Sequence, residues 1–283
     1  MAGKPVADSF PGLSKRLHLK FSDESDSSLF SECDVVFLAR GNGIAMNQVS
    51  DLVDKGLKVI DLSADFRFRN TADYKTWYGV EHTAPDLSAS AVYGLPELHR
   101  NEIKTSQVVG NPGCYSTASI LALVPAVKAG IIDTNSIIVD GKSGVSGAGR
   151  SSFGPDTHFS EVNESVKAYK VGGSHRHTGE LEQELSAAAG KELKISFTPH
   201  LVPMTRGILI SAYANLIKGH TTADILEIYK SFYETEPFVN VTSTVPDSKN
   251  CSGSNLCQIS VAVDARTKRL SIFSTIDNLG KGM

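Results

Sequence analysis

Short continuous apolar runs separated by helical spacing mark the first part of the chain. Residues 34–39 and 57–62 are mostly apolar, and residues 44–55 between them place apolar side chains at helical spacing. Continuous apolar strands are typical of a parallel sheet that is buried on both faces. The strand–helix–strand order predicts a right-handed parallel crossover. A long excursion with short helices over 64–106 then leads to a further strand at 107–110.

The second part of the chain has a different pattern, in which strands follow one another without helices between most of them. A strand at 137–140 precedes a helix at 180–189, and another helix is predicted at about 223–233. Further strand-like runs occur at 195–202, 207–217, 257–264 and 269–276. This order predicts a mostly antiparallel sheet with helices on one face. The fold class is therefore α/β followed by α+β.

Length, charge and cysteine content restrict the classes of function. A chain of 283 residues is long enough for two domains, and a net charge of −3 gives no basic surface for nucleic acid or membrane. No apolar run reaches the roughly 20 residues of a membrane span, and the N-terminus lacks the apolar segment of a signal peptide. Four cysteines do not suggest a disulfide scaffold, so we expect a cytoplasmic protein. Cys251 and Cys257 lack a recognised ligand spacing, so no metal site is predicted.

The segment 110–117, Gly-Asn-Pro-Gly-Cys-Tyr-Ser-Thr, carries the first candidate chemistry. It follows an apolar strand end and precedes a long apolar run, so a strand, a tight Pro-Gly turn and a helix are predicted, with Cys114 at the helix start. Unpaired N–H groups at a helix start stabilise a thiolate, which would make Cys114 a nucleophile. The alternative is a buried structural cysteine.

A second glycine-containing turn suggests a dinucleotide site. Gly41 and Gly43 follow a strand and open a helix, and Asp61 lies 20 positions after Gly41. Backbone amides in such a turn can hold a pyrophosphate, and an acid at this distance can bind a ribose. However, Met46 stands where the pattern has its third glycine, which packs helix against strand.

Histidine and arginine side chains supply the partners that a cysteine nucleophile needs. His175 and His177 lie on a predicted loop with Tyr169 upstream and Glu180 downstream, and histidine changes charge near neutral pH. A hydrogen-bonded structural pair or a metal site is the alternative, although no clear third ligand is present. Arg150 follows a glycine-rich loop and suits an anion, unless it is a solvated surface arginine.

Nine segments in order across nearly the whole chain resemble the N-acetyl-γ-glutamyl-phosphate reductases, which are relatives of aspartate-semialdehyde dehydrogenase. These segments are residues 34–39, 59–67, 93–97, 111–115, 143–150, 175–177, 206–209, and the pairs Asp277-Asn278 and Lys281-Gly282. The resemblance implies an incomplete Rossmann-type parallel sheet over 1–113, to which 277–283 return. It also implies a catalytic and dimerisation domain over 114–276. It places Gly41–Gly43 in a later turn, which argues against Asp61 as the ribose-binding acid.

The same resemblance implies residue roles and a cofactor, NADP. Cys114 would be the nucleophile and His175 the acid/base. Substrate-binding side chains would be Arg150, Glu161, Tyr169, His177 and Arg206. Ser146, Gly147 and Asn278 would contact the cofactor. The implied reaction is reductive dephosphorylation of an acyl phosphate through a Cys114 thioester, in a homo-oligomer (dimer or tetramer) that binds no nucleic acid or membrane.

Two departures from the family pattern leave alternative functions open. Members of the family begin with a strand, a glycine-rich turn and a helix, whereas residues 2–5 resemble the part after that unit, and the family continues into a helix after the equivalent of Met283. We therefore expect about 30 to 40 residues to be missing at the front. One alternative is a non-catalytic remnant that only folds or dimerises. Another is a sister reductase that acts on an amino-adipyl phosphate carried by a protein.

Overall fold

The computed structural model describes residues 1–23, 25–149 and 154–283. In the first part of the chain, the strands β1 (Val35–Leu38), β2 (Lys58–Asp61), β3 (Val92–Tyr93) and β4 (Val108–Gly110) form a sheet in the order β1-β2-β4-β3. All neighbouring pairs in this sheet are parallel. The predicted parallel crossover is therefore confirmed.

Short helices precede or connect these strands. They are α1 (Val6–Ser9), α2 (Val49–Asp54), α3 (Thr71–Tyr78), α4 (Pro85–Ser90) and α5 (Pro96–Thr105). The helix predicted over 44–55 is a 3-10 turn at Ala45–Asn47 followed by α2. The prediction of strands buried on both faces is wrong for β1, where Phe37 is 65% exposed. The physical reason is that β1 lies at the edge of the sheet, where only Leu38 is buried.

A larger sheet forms the second part. Its strands are β5 (Ile138–Ser143), β6 (Lys167–Ala168), β7 (Ser196–Leu201), β8 (Ile208–Asn215), β9 (Val239–Val241), β10 (Cys257–Asp264) and β11 (Arg269–Ile276). Their order is β6-β7-β5-β8-β11-β10-β9. The pairs β5–β7 and β9–β10 are parallel and the other pairs are antiparallel, which confirms a mostly antiparallel sheet. The two-residue strand β6 and the three-residue strand β9 were not predicted.

The helices of the second part are α6 (Cys114–Lys128), α7 (Phe159–Val162), α8 (His177–Ala189) and α9 (Thr222–Phe232). Every residue of α6 from Tyr115 to Val127 is buried, so this helix is the centre of the larger core. Pro125 within α6 lacks an N–H group, which leaves the carbonyl of Leu121 without its usual helical donor. The hydroxyl of Tyr233 donates to that carbonyl at 2.6 Å. The helix that begins with Cys114 is thus fixed along its length.

The chain after β11 returns to the first part. Asn111 Nδ2, in the turn before α6, donates to the carbonyl oxygen of Met283 at 2.5 Å. Lys281 and Glu97 form a nearly buried ion pair. The described helices include none with the length and apolar character that crossing a membrane requires.

Candidate active site

The turn between β4 and α6 presents Cys114 at the first position of a long helix. Gly113 is the N-cap residue of α6, and no side chain caps this helix start. A Cβ atom on Gly113 would lie 2.3 Å from Nε2 of His177, so the imidazole occupies the space that any side chain would need. The predicted strand, turn and helix are therefore confirmed. The imidazole of His177, one of the predicted histidines, packs against the turn at Gly113.

A buried carboxylate supports this turn from below. Glu180 is fully buried, and its Oε2 accepts hydrogen bonds from the Gly113 amide at 2.9 Å and from the Tyr93 hydroxyl at 2.8 Å. Its Oε1 pairs with the Arg67 guanidinium at 3.0 Å. Arg67 Nε also donates to the carbonyl of Asn111 at 2.7 Å. The ion pair therefore holds the turn before Cys114 at two points.

Burial decides the charge of the Cys114 thiol. It raises the pKa of this thiol to about 11, although the amides of Tyr115 and Cys114 and the charge of Arg67 act in the opposite direction. The thiolate that we expected from the helix start is therefore wrong for the resting site. Loss of water around the sulfur outweighs the helix start, and Cys114 is a thiol at neutral pH.

His175 is also uncharged in this site. It is 8% exposed, and burial, followed by the charge of neighbouring His177, lowers its pKa to about 2. Its Nδ1 accepts the backbone N–H of His177 at 3.1 Å, so a neutral ring carries its proton on Nε2. The pKa of His177 is likewise well below its ordinary value, through burial and the charge of Arg67.

Cys114 and His175 line the same cavity, which has a volume of about 490 Å³. This size is typical of a small-molecule site. The other lining residues are Tyr115, Ser143, Gly144, Gly147, Ala148, Asp156, Thr157, Lys167, Tyr169, Lys170, Arg176, His177 and Leu201. Three of the other predicted site residues, Gly147, Tyr169 and His177, are therefore part of the cavity wall.

Ser146 and Asn278 lie beside this cavity and contact each other. Ser146 Oγ donates to the Thr205 carbonyl at 2.6 Å and lies 3.2 Å from Asn278 Oδ1. Asn278 is 4% exposed, and its Oδ1 accepts the Gly207 amide at 2.9 Å. The two predicted cofactor residues are not among the described residues that line the cavity, and they support the glycine-rich loop after β5.

The remaining predicted substrate residues have other surroundings. Among the described residues that line the cavity, neither Glu161 nor Arg206 occurs. Glu161 is exposed on α7, whereas Arg206 forms an ion pair with buried Asp277 at 2.8 Å. Arg150 lies outside the described residues.

The other glycine turn uses its amides internally. The Asp65 carboxylate accepts the Gly43 amide at 2.8 Å and the Met46 amide at 3.1 Å. Asp61 is fully buried and accepts hydrogen bonds from the Ser63 amide and hydroxyl. These groups therefore do not form the pyrophosphate and ribose site that the glycine pattern suggested.

The sequence assigned no role to several residues of the site. Arg67 and Tyr93 fall within segments that carried the family resemblance, and Glu180 follows His177 by three positions, which places it one helical turn later. Lys170 directly follows Tyr169 and precedes a Gly-Gly pair, which is a turn signal. Within the described residues, no group of three or more His, Cys, Asp or Glu side chains could hold a metal ion.

The fold and the two parts of the chain correspond to known domains. Residues 1–106 match the family model described as "Semialdehyde dehydrogenase, NAD binding domain", and residues 114–278 match "Semialdehyde dehydrogenase, dimerisation domain". The crystal structure of aspartate semialdehyde dehydrogenase II from Vibrio cholerae is similar with a TM-score of 0.67 and 15% identity, over 89% of this chain and 77% of that chain. An aspartate semialdehyde dehydrogenase from Francisella tularensis has a TM-score of 0.65 and 13% identity, over 93% and 82%. The class is therefore that of the semialdehyde dehydrogenases.

Closer relatives define the family within this class. The N-acetyl-gamma-glutamyl-phosphate reductase of Symbiobacterium thermophilum is 48% identical over 99% of this chain and 80% of its own length. The protein of the same name from Acetivibrio thermocellus is 45% identical over 99% of this chain and 81% of its own length. The chain belongs to the N-acetyl-gamma-glutamyl-phosphate reductase family, which confirms the resemblance seen in the sequence.

Proposed function

We propose that this chain catalyses the NADPH-dependent reductive dephosphorylation of N-acetyl-γ-glutamyl phosphate to N-acetyl-glutamate semialdehyde in arginine biosynthesis. The reductase name of relatives that are 45–48% identical supports the reaction. The single observation that carries the chemistry is that Cys114 and His175 line one cavity of suitable size for such a substrate.

Cys114 is the nucleophile in this proposal. Its sulfur attacks the acyl carbon, the bond from that carbon to the phosphate oxygen breaks, and a thioester forms. Because burial raises the pKa of the thiol to about 11, the thiol loses its proton during the attack rather than before it. The departing phosphate has oxygens basic enough to accept this proton and carries it away. The buried ion pair of Glu180 and Arg67 keeps the turn before Cys114 in place.

His175 is the acid/base in this proposal. The hydrogen bond from the His177 amide to Nδ1 leaves the proton of the neutral ring on Nε2. His175 shares this Nε2 proton with the oxyanion as it forms at the acyl carbon, and recovers it when the tetrahedral species collapses. The rings of Tyr169 and His175 pack edge to face with their centroids 5.7 Å apart, and this contact helps to hold the imidazole in place.

NADPH, when bound, would supply the hydride that reduces the thioester carbonyl. The bond from that carbon to the Cys114 sulfur then breaks, the semialdehyde leaves, and the sulfur regains a proton from solvent. The small residues Gly144, Gly147 and Ala148 form one wall of the cavity, which fits the flat nicotinamide ring. A Cβ atom on Gly147 would lie 2.8 Å from Ser143 Oγ and 3.1 Å from Asn278 Nδ2. We propose that Ser146, Gly147 and Asn278 form the nicotinamide side of the site.

Tyr169 and His177, which line the cavity, are proposed to contact the substrate. Arg150, Glu161 and Arg206 are proposed as substrate residues from the sequence pattern alone. Because Arg206 is paired with Asp277, it would approach a substrate with part of its charge already balanced.

The same proposal divides the work between two domains. Residues 1–113, with 277–283, form the cofactor side, and residues 114–276 form the catalytic and dimerisation side. The match to a dimerisation domain supports a homo-oligomer, a dimer or a tetramer. All four cysteines are free, in keeping with the reducing cytoplasm.

The test is the reverse reaction, the phosphate-dependent oxidation of N-acetyl-glutamate semialdehyde with NADP⁺. Activity should be lost in Cys114→Ser and retained in Cys33→Ser, which changes an exposed cysteine. Unchanged activity in Cys114→Ser would reject the mechanism. A chain that neither turns over nor binds NADPH would be the non-catalytic remnant, and preference for a carrier-bound amino-adipyl substrate in a parallel assay would identify the sister reductase.

A further inference from the structure

Three cationic side chains line the catalytic cavity, and two of them have partners. Lys167 Nζ lies 2.9 Å from Asp156 Oδ1, and Asp156 also lines the cavity. The guanidinium of Arg176 lies over the ring of Tyr78 at 5.0 Å. For Lys170, no carboxylate oxygen within residues 1–23, 25–149 and 154–283 lies at ion-pair distance. Among the described residues, two cations of the cavity therefore have no carboxylate partner: the guanidinium of Arg176, which lies over Tyr78, and the ammonium of Lys170.

The backbone at Lys170 is held in a conformation that a lysine rarely adopts. Its φ is +44°, in the left-handed region, where the Cβ atom comes too close to the following carbonyl oxygen. The preceding strand β6 pairs with β7, and the Tyr169 amide donates to the Pro199 carbonyl at 3.1 Å. Gly172 and Gly173 then reverse the chain towards His175, both with positive φ. Strain of this kind at a cavity-lining residue points to a functional role.

The charge of Lys170 acts at the reacting end of the cavity. After burial and the neighbouring histidine, Lys170 is among the charges that hold the pKa of His175 below its ordinary value. It acts in the same direction on the pKa of His177, after burial and two arginines. Lys170, His175 and His177 line the same cavity, so the charge of Lys170 acts on an anionic group that binds there.

We propose that Lys170 binds the phosphoryl group of the acyl-phosphate substrate, and the inorganic phosphate that leaves. This inference rests on the proposed function. In an acyl phosphate the phosphoryl group is joined to the reacting carbon through one oxygen, whereas the α-carboxylate lies at the far end of the glutamyl chain. The anion that meets Cys114 and His175 is thus the phosphoryl group. A compact ammonium binds a phosphate as a point charge.

The test compares Lys170→Asn with Lys268→Asn. Both lysines have positive φ, +44° and +55°, and asparagine adopts this conformation readily, so neither change should weaken the fold. Lys268 is exposed in the turn between β10 and β11 and does not line this cavity, so Lys268→Asn controls for the backbone effect. Lys170→Arg keeps the charge and should retain most of the affinity for phosphate.

In the oxidative direction, Lys170→Asn should raise the KM for inorganic phosphate by about tenfold or more, and leave the KM for the semialdehyde within about twofold. Lys268→Asn should change neither constant. An unchanged KM for phosphate in Lys170→Asn would overturn the proposal, and so would a rise confined to the semialdehyde, which would place Lys170 at the carboxylate end.

A second measurement does not depend on turnover. Inorganic phosphate should slow the alkylation of Cys114 by iodoacetamide in the wild-type chain, and Lys170→Asn should need about tenfold more phosphate for the same protection. If the chain does not turn over but shows this difference, the phosphate site stands and the proposed reaction fails. If the chain turns over but Lys170→Asn is protected as well as the wild type, the reaction stands and the role of Lys170 fails.

Discussion

The turn at 41–43 and the turn at 110–113 look alike in sequence and differ in what their amides can bind. Each follows a parallel strand, contains two glycines and leads to a helical turn, and each lies against a buried carboxylate. Asp65 uses both of its oxygens on amides of the first turn. Glu180 takes only the Gly113 amide of the second turn, which precedes the helix.

This difference suits the second turn, and not the first, to the reactive site that we propose. With its amides bonded to Asp65, the first turn has no donors left at Gly43 and Met46 for an external anion. In the second turn, the amides of Cys114 and Tyr115 act on the Cys114 sulfur, and Arg67 balances the charge of Glu180. The glycines make both turns possible. The buried carboxylate beside each turn determines whether the turn amides are bonded within the protein or remain available to another group.

Removing the negative charge of the buried carboxylate beside each turn should give the largest change in stability. Glu180→Gln leaves the buried Arg67 guanidinium unpaired, so we expect the free energy of unfolding to fall by about 3–5 kcal/mol. Asp65→Asn also weakens three hydrogen bonds, to the Gly43 and Met46 amides and the Tyr74 hydroxyl, but leaves no opposite charge behind. We expect it to cost about 1.5–3 kcal/mol. Urea unfolding measures both.

The same pair of variants separates the turns by activity. Among the molecules that remain folded, Glu180→Gln should lower kcat because the Gly113 amide loses its charged acceptor. Asp65→Asn should leave kcat close to that of the wild type. Equal losses of kcat in the two variants would show that the turns are not functionally different.

Adding one methyl group to each turn should give the next largest effect. The Cβ of Gly113→Ala would lie 2.3 Å from His177 Nε2, so the histidine or the turn must move, and a displacement of about 1 Å can lower activity by about 100-fold. In Gly43→Ala the nearest side-chain atom is 3.8 Å away, so the cost is the positive φ of +84°, roughly 1–2 kcal/mol of stability. Steady-state kcat/KM and thermal unfolding distinguish these outcomes. A fully active Gly113→Ala would contradict the close contact with His177.

The strand, the turn and the start of α6 could be predicted because they depend on local signals: an apolar run, Pro-Gly and a long apolar helix. The start of α8 at His177 could not, because Thr178 and Gly179 form helices poorly and the predicted helix therefore began at Glu180. The earlier start places Glu180 one turn after His177, under Gly113. The resting thiol of Cys114 was also missed, because sequence indicates a helix start but not the loss of water around the sulfur.

The charge state of Cys114 should be visible in its alkylation rate. Because only the thiolate reacts, and burial raises the pKa to about 11, the rate should increase about tenfold per pH unit from about pH 7 to about pH 10. The measurement uses iodoacetamide on the Cys33→Ser background, in which the two other cysteines are buried. A plateau beginning near neutral pH would mean that the helix start outweighs burial after all, and that the second turn holds a thiolate at rest.

The smallest expected effect is that of His175, an uncharged histidine of the cavity, on the pH dependence of stability. The unfolded chain binds a proton on His175 near its ordinary pKa of 6.5, whereas the folded chain does so only at about 2. The unfolded state therefore binds more protons between these values, and the free energy of unfolding falls as the pH is lowered below about 6.5. His175→Asn should reduce this fall by at most about 1.4 kcal/mol per pH unit. His177, whose pKa is also lowered, should still contribute its own part of the pH dependence of stability in the variant. Urea unfolding at about pH 6.5 and about pH 5 measures the slope for both chains, and identical slopes would mean that His175 is not buried as a neutral group.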